Sequence, residues 1–216
     1  MPPQEIQHLW ADEPGVAVVH VVAGMVDDVN EAQHLDAVII AVGSELLTPD
    51  KTDTNSLYIT QVLNELGIAV AFKSIVGDNR QELQAHVAHA LSRHRVLILT
   101  GGLGPTDDDV TREAVAGALG LEMAEDDAIT ARIRQRFARR GLEMPAVNRK
   151  QAMVPQGATW IPNPNGSAPG LWLRVGPRLV VLLPGPPREL QPMLIELCAP
   201  GGVIGGGAGF EGLHRA

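Results

Sequence analysis

Val96-Leu-Ile-Leu-Thr100, running directly into Gly101-Gly-Leu-Gly-Pro-Thr-Asp-Asp-Asp-Val-Thr111, carries the most structural information in the chain. The short β-type run offers no polar alternation, as expected of a strand covered on both faces. The glycine turn after it lets backbone amides approach an anion closely, and a helix start there would present unpaired N–H groups. Asp107, Asp108 and Asp109 stand at the same place. Carboxylates so placed repel a phosphate unless a hard cation lies between them. The combination points to a phosphorylated ligand bound together with a divalent metal ion.

Working outward, the same alternation of strand and helix recurs. Residues 37–42 and 69–74 read as strands. Residues 54–66 place Ile59, Val62, Leu63 and Leu66 at helical spacing before Gly67, and residues 80–92 do the same with Leu83, Val87 and Leu91. Residues 110–119 form a third helix ending at Gly120. Such alternation predicts right-handed crossovers and a parallel sheet with helices on both faces. The second half is less regular. A helix is expected over residues 125–140, short strands over 158–161, 171–175 and 179–183, and a last helix over 188–197.

Three domains of behaviour are expected: an extension over residues 1–35, one folded domain over 36–198, and a glycine-rich flexible tail over 199–216. A chain of 216 residues is long enough for one sizeable core. Its net charge of −8 argues against general nucleic-acid binding while leaving room for a nucleotide in a local pocket. The single cysteine, Cys198, reads as a small buried hydrophobe near a helix end. His86, His89 and His94 lack a metal-binding pattern and read as solvated. The longest apolar run, residues 16–25, is too short to span a bilayer and makes a poor signal peptide, so a cytoplasmic protein that does not contact membrane is expected.

Ligands of open parallel sheets bind beyond the carboxyl ends of the strands. Three polar loops follow the first three strands, carrying Glu45 and Asn55, Asp78, and the glycine–aspartate stretch. The glycine loop is not a dinucleotide fingerprint, because Asp107 stands where the last glycine of GxGxxG belongs. It also lacks the Gly-Lys-Ser/Thr of a P-loop. Successive helical residues diverge by about 100°, so only one or two of the three aspartates could face one ligand. Arg132, Arg134, Arg136, Arg139 and Arg140 form a basic run that reads as a solvated face, or else as a rim attracting a polyanion.

Residues 101–111, with Val42-Gly-Ser-Glu-Leu-Leu47, Thr54-Asn55, Val76-Gly-Asp-Asn79, Asn165-Gly-Ser-Ala-Pro-Gly170 and Leu183-Pro-Gly-Pro-Pro-Arg-Glu-Leu190, closely resemble the CinA-type competence/damage-inducible proteins, within the MoaB/Mog-like molybdopterin-binding superfamily. The resemblance implies a three-layer α/β/α fold with a mostly parallel sheet. It implies Gly101, Gly102 and Gly104 as a phosphate loop with Thr106, and Asp109, Asp78 and Glu45 as catalytic carboxylates. Asp109 and Asp108 would hold Mg²⁺ or Co²⁺, and Asn55 and Ser167 would be further ligand-binding residues. Lys150 would also bind phosphate, where the family pattern leads one to expect an arginine; the exchange keeps the charge but loses bidentate geometry. Self-association as a homodimer or trimer is also implied. CinA-type chains commonly continue into a nucleotide deamidase domain, and that activity is not expected of these residues.

The function expected on these grounds is metal-dependent hydrolysis of the diphosphate in ADP-ribose or a similar nucleotide, with Asp78 or Glu45 as base. The alternatives are a molybdopterin-binding protein or transferase of molybdenum cofactor assembly, and a non-catalytic nucleotide-binding remnant.

Overall fold

A computed structural model describes residues 36–205 of the chain. The expected 1–35 extension and most of the glycine-rich tail lie outside the described residues. Strands β1 (Asp36–Val42), β2 (Ala69–Val76), β3 (Val96–Thr100) and β8 (Arg178–Leu183) pair in parallel, and β7 (Gly170–Val175) and β6 (Thr159–Ile161) continue the sheet antiparallel. The order is β2-β1-β3-β8-β7-β6. The fold is therefore α/β with a mostly parallel sheet. The antiparallel part follows from the turn at Gly176 and Pro177, since two residues suffice for a hairpin but not for a parallel crossover.

Helices α1 (Asn55–Glu65) and α5 (Pro187–Cys198) cover one face; α2 (Arg80–Arg93) and α3 (Thr111–Leu119) cover the other. The twofold strand period sorts β1 accordingly. Ala37 and Ile39 join Ile59, Leu63, Leu190 and Met193, whereas Val38 and Ile40 join Leu83, Val87 and Val115. Leucine and isoleucine pack at both faces of β3, which explains its unbroken apolar run. The Asn79 side chain caps α2 by accepting from Gln81 and Glu82 amides, and Asp126 caps α4 (Asp127–Ala138) through the Ile129 amide.

Two three-residue strands, β4 (Met123–Glu125) and β5 (Met153–Pro155), pair antiparallel beside α4. Neither is long enough to show a period, so sequence reading passes over both. Ile129 and Ile133 pack with Phe137, Met144 and Trp160 against this small sheet.

Two expectations need correction. His94 is not solvated: its Nδ1 lies 2.6 Å from Asp36 Oδ2 and its side chain is only 16% exposed, tying the end of α2 to the start of β1. The chain also stays ordered past residue 198. The Ile204 and Gly205 amides donate to Leu197 O, and Ile204 is buried in the α1/α5 cluster. Cys198, the last residue of α5, packs at that cluster's margin, and burial pushes its thiol up to about 11. At neutral pH it stays a protonated thiol. Alkylation by iodoacetamide is expected to be slow in the folded protein and fast in denaturant; equal rates would contradict this packing. Among the described residues, no helix is long and apolar enough to cross a membrane.

Candidate functional site

The ends of β1, β2, β3 and β8 open into one cavity of about 900 Å³, in the range of small-molecule sites. The three loops expected to converge do so, and a fourth, residues 184–186 after β8, joins them. Gly101, Gly102, Gly104, Glu45, Asn55, Asp78, Asp108, Asp109 and Ser167 all line it. Thr106 and Lys150 do not.

The loops are stitched by reciprocal bonds. Ser44 N donates to Asp78 Oδ2 at 2.9 Å, and Asp78 N donates to Ser44 Oγ at 3.1 Å. Asn55 Nδ2 donates to Gly185 O at 2.7 Å and to Thr100 Oγ1 at 3.1 Å, binding the loops after β1 and β8 together. Asn55 is therefore a bracket of the cavity wall as well as part of its lining.

The glycine loop is held from beneath. Thr111 Oγ1 donates to Gly101 O at 2.8 Å, Thr111 N to Gly102 O at 3.2 Å, and Arg112 Nη2 to Leu103 O at 2.6 Å. Three consecutive carbonyls are thus all taken by donors from the first two residues of α3. In a trans peptide the N–H opposes the C=O, so each of the amides of Gly102, Leu103 and Gly104 points away from the donor that its own peptide carbonyl meets. The Gly104 amide is already taken by Asp109 Oδ1 at 2.7 Å, while Asp109 Oδ2 accepts from Thr106 N at 2.9 Å and Thr106 Oγ1 at 2.6 Å. The N–H groups of Gly102 and Leu103 have no acceptor among the described residues.

These contacts revise several expected roles. The aspartates do not start a helix: α3 begins at Thr111, with Val110 before it and no side-chain cap. Asp109 closes the loop on itself with both oxygens, accepting three of the roughly four bonds a carboxylate can take, which leaves it little capacity for the expected roles of metal ligand and base. Thr106 spends its amide and hydroxyl on Asp109. Lys150 Nζ donates to Thr106 O at 2.7 Å and stands 3.6 Å from Glu113 Oε1, bracing the outer limb of the loop instead of facing a phosphate. The contrast leaves Glu45 and Asp108 as lining carboxylates that accept no hydrogen bond among the described residues.

Sequence reading missed Arg112. It is fully buried, with Nε and Nη1 unpartnered, and burial lowers its pKa to about 10 against the raising charges of Glu113 and Asp109. It remains a cation at neutral pH beneath the loop. Nothing in its local pattern distinguishes it from a surface helix arginine. Asp53, which accepts from the Ser56 amide at 3.0 Å, and Glu189, which accepts from Asn163 Nδ2 at 2.7 Å, also line the cavity; both lie in stretches the sequence marks, but neither stands out there as a site residue.

Six carboxylates (Glu45, Asp53, Asp78, Asp108, Asp109 and Glu189) thus meet one lysine, Lys51, in the lining. Among the described residues, however, no three or more His, Cys, Asp or Glu side chains are grouped so as to hold a metal ion. The residues do not fit a resident metal cage. They leave at most one or two carboxylates, Glu45 and Asp108, for a cation of the kind that keeps several of its waters.

Comparison with known proteins agrees with this architecture. A family model described as "Probable molybdopterin binding domain" matches residues 38–201. A CinA-like protein of Solibacter usitatus is 49% identical over 166 residues, covering 77% of this chain and 40% of its own length. A CinA-like protein of Koribacter versatilis is 52% identical, covering 75% and 40% respectively. The chain therefore spans about 40% of the length of these relatives. The crystal structure of the protein CinA from Thermoplasma acidophilum superposes with a TM-score of 0.69 at 33% identity, over 74% of this chain and 94% of that one. The molybdopterin biosynthesis enzyme MoaB from Thermus thermophilus shares the fold, with a TM-score of 0.51 at 18% identity over 84% and 98%.

Proposed function

Since the chain belongs to the CinA-like branch of the molybdopterin-binding domain family, we propose that its cavity binds a cation-bearing diphosphate ligand and hydrolyses ADP-ribose or a closely similar nucleotide. The observation that carries this reading is that the lining residues Gly102 and Leu103 have amides without an internal acceptor, while the lining carboxylates Glu45 and Asp108 have no internal donor. Amides alone would suit any phosphate. Carboxylates beside them suit a phosphate only when a cation accompanies it.

In this reading the two amides hold oxygens of one phosphoryl group, and Asp108 is the carboxylate that would hold a cation bound with it. When bound, the cation would neutralise charge building on the phosphoryl oxygens. Glu45 takes a proton from the attacking water as its oxygen bonds to phosphorus and the P–O bond to the leaving phosphate breaks. Glu45 is favoured over Asp78 as base because Asp78 Oδ2 is already engaged by the Ser44 amide. Arg112, Thr111 and Asp109 do no chemistry; they keep the amides aimed.

The test is AMP release from ADP-ribose in Mg²⁺ or Co²⁺, followed chromatographically. Glu45→Gln and Asp108→Asn are each expected to lower kcat/KM by roughly a hundredfold, in the range of a positioned proton acceptor or cation contact. No AMP from the native chain would end the hydrolase reading.

A second reading has specific support in the family description: the cavity binds molybdopterin or an adenylylated form without hydrolysing ADP-ribose. The same amides and carboxylates would serve its phosphate. Tight pterin binding with no ADP-ribose turnover would decide for it.

A further inference from the structure

A second, smaller basin of about 220 Å³ adjoins the main cavity, and Ser167 and Glu189 line both. Its character is the reverse of its neighbour's. Arg136 and Arg140 reach it from α4 and its end, and Arg188 from the first turn of α5. None of the three belongs to an ion pair among the described residues. Arg136 Nη1 donates only to Pro164 O, at 3.3 Å, which keeps its guanidinium against the basin wall. The one carboxylate present, Glu189, is nearly buried and turned toward Asn163 Nδ2.

The partition between basins is tightly built. A Cβ on Gly166 would run into the Glu189 carboxylate and the Asn163 amide, so the wall needs glycine there. Asn165 Nδ2 donates to Arg188 O at 2.7 Å, and Asn163 Oδ1 accepts from the Asn165 and Gly166 amides at 2.9 and 2.7 Å. Three guanidinium groups brought by α4, its end and α5 to the two sides of this turn, without carboxylate partners in a chain of net charge −8, make a local anion site.

We infer that this arginine basin is a subsite for a phosphate monoester carried on the same ligand whose diphosphate lies at the glycine loop. The inference rests on the proposed function above and deepens it: among the diphosphate ligands the cavity takes, those bearing a further phosphate are preferred. A single phosphate has no reason to span both basins. A ligand with a third phosphate satisfies the amides of Gly102 and Leu103 and the arginines together. Arg132, on the same helix, is excluded from the role because its guanidinium lies over the Trp160 ring, 5.8 Å from the centroid.

Calorimetric titration of the full chain with ADP-ribose and with its phosphate monoesters on either ribose, in Mg²⁺, tests the point. At least one monoester is expected to bind roughly tenfold or more tightly than ADP-ribose, as for charge-assisted contacts. Arg140→Ala with Arg188→Ala should erase that advantage while leaving ADP-ribose affinity within about twofold. Native binding of ADP-ribose with no preference for any monoester overturns the subsite alone, as does a preference that survives the double variant. Failure of every ligand to bind the native chain overturns the subsite and the diphosphate reading together.

Discussion

Replacing Asp109 with alanine is expected to abolish ligand binding and turnover while leaving the sheet intact. Its two carboxylate oxygens receive three donors: Gly104 N, Thr106 N and Thr106 Oγ1. Hydrogen bonds to a charged acceptor contribute about 1.5–3 kcal/mol each, though not additively. Losing all three should cost roughly 2–4 kcal/mol of loop stability, confined to residues that hold no core position. The Gly104 and Thr106 amides should then exchange with solvent at the rate of an open loop, and kcat/KM should fall at least about a hundredfold through misplacement of the neighbouring amides. Asp109→Asn sharpens the test. An amide side chain accepts at one end only, so it can satisfy either Gly104 or Thr106, and its NH₂ would face the other donor. Full activity in Asp109→Asn would show that the loop does not depend on this double acceptance.

Gly101→Ala should be the most destabilising single substitution in the site. Gly101 has φ +99°, a conformation that costs an L-residue about 1–2 kcal/mol or more. In addition its new Cβ would collide with the Val42 carbonyl oxygen, a backbone atom in a strand paired on both sides. Backbone cannot rotate away as a side chain can. A loss of about 3 kcal/mol or more follows, equivalent to a fall in Tm of about 10 °C for a domain of this size. Thermal unfolding by calorimetry reads it directly. Gly120 offers the control: its φ of +65° is also left-handed, but an added Cβ meets nothing within 4 Å. A Gly101→Ala variant no less stable than Gly120→Ala would mean that strand β1 yields more readily than its burial indicates.

Both expectations follow from one feature of the site. The loop's donors and acceptors are mostly spent on the protein: its carbonyls on Thr111 and Arg112, its Gly104 amide on Asp109, its outer limb on Lys150. Groups held in this way present the remaining amides without reorganisation when a ligand arrives, which is the arrangement that favours binding and electrostatic stabilisation.

The parallel core was legible in the residues themselves. Unbroken apolar runs gave β1, β3 and β8, and threefold and fourfold spacings gave α1, α2 and α4, because burial of one element's faces leaves a local periodic mark. The strand-end loops and their carboxylates could be anticipated too, since parallel strands bring their carboxyl ends to one side. The short strands β4 and β5 left no such mark; the edge strands β6 and β7 were legible as strands, but not their antiparallel direction. Nor could spacing say what Asp109 would meet, since its donors are fixed only when the glycine loop closes. Lys150 finds Thr106 across 44 positions, and Arg188 joins Arg136 and Arg140 only because α5 begins beside α4. Periodicity records what each segment buries; hydrogen-bond partners and charge neighbourhoods depend on how distant segments dock, and only the tertiary structure decides that.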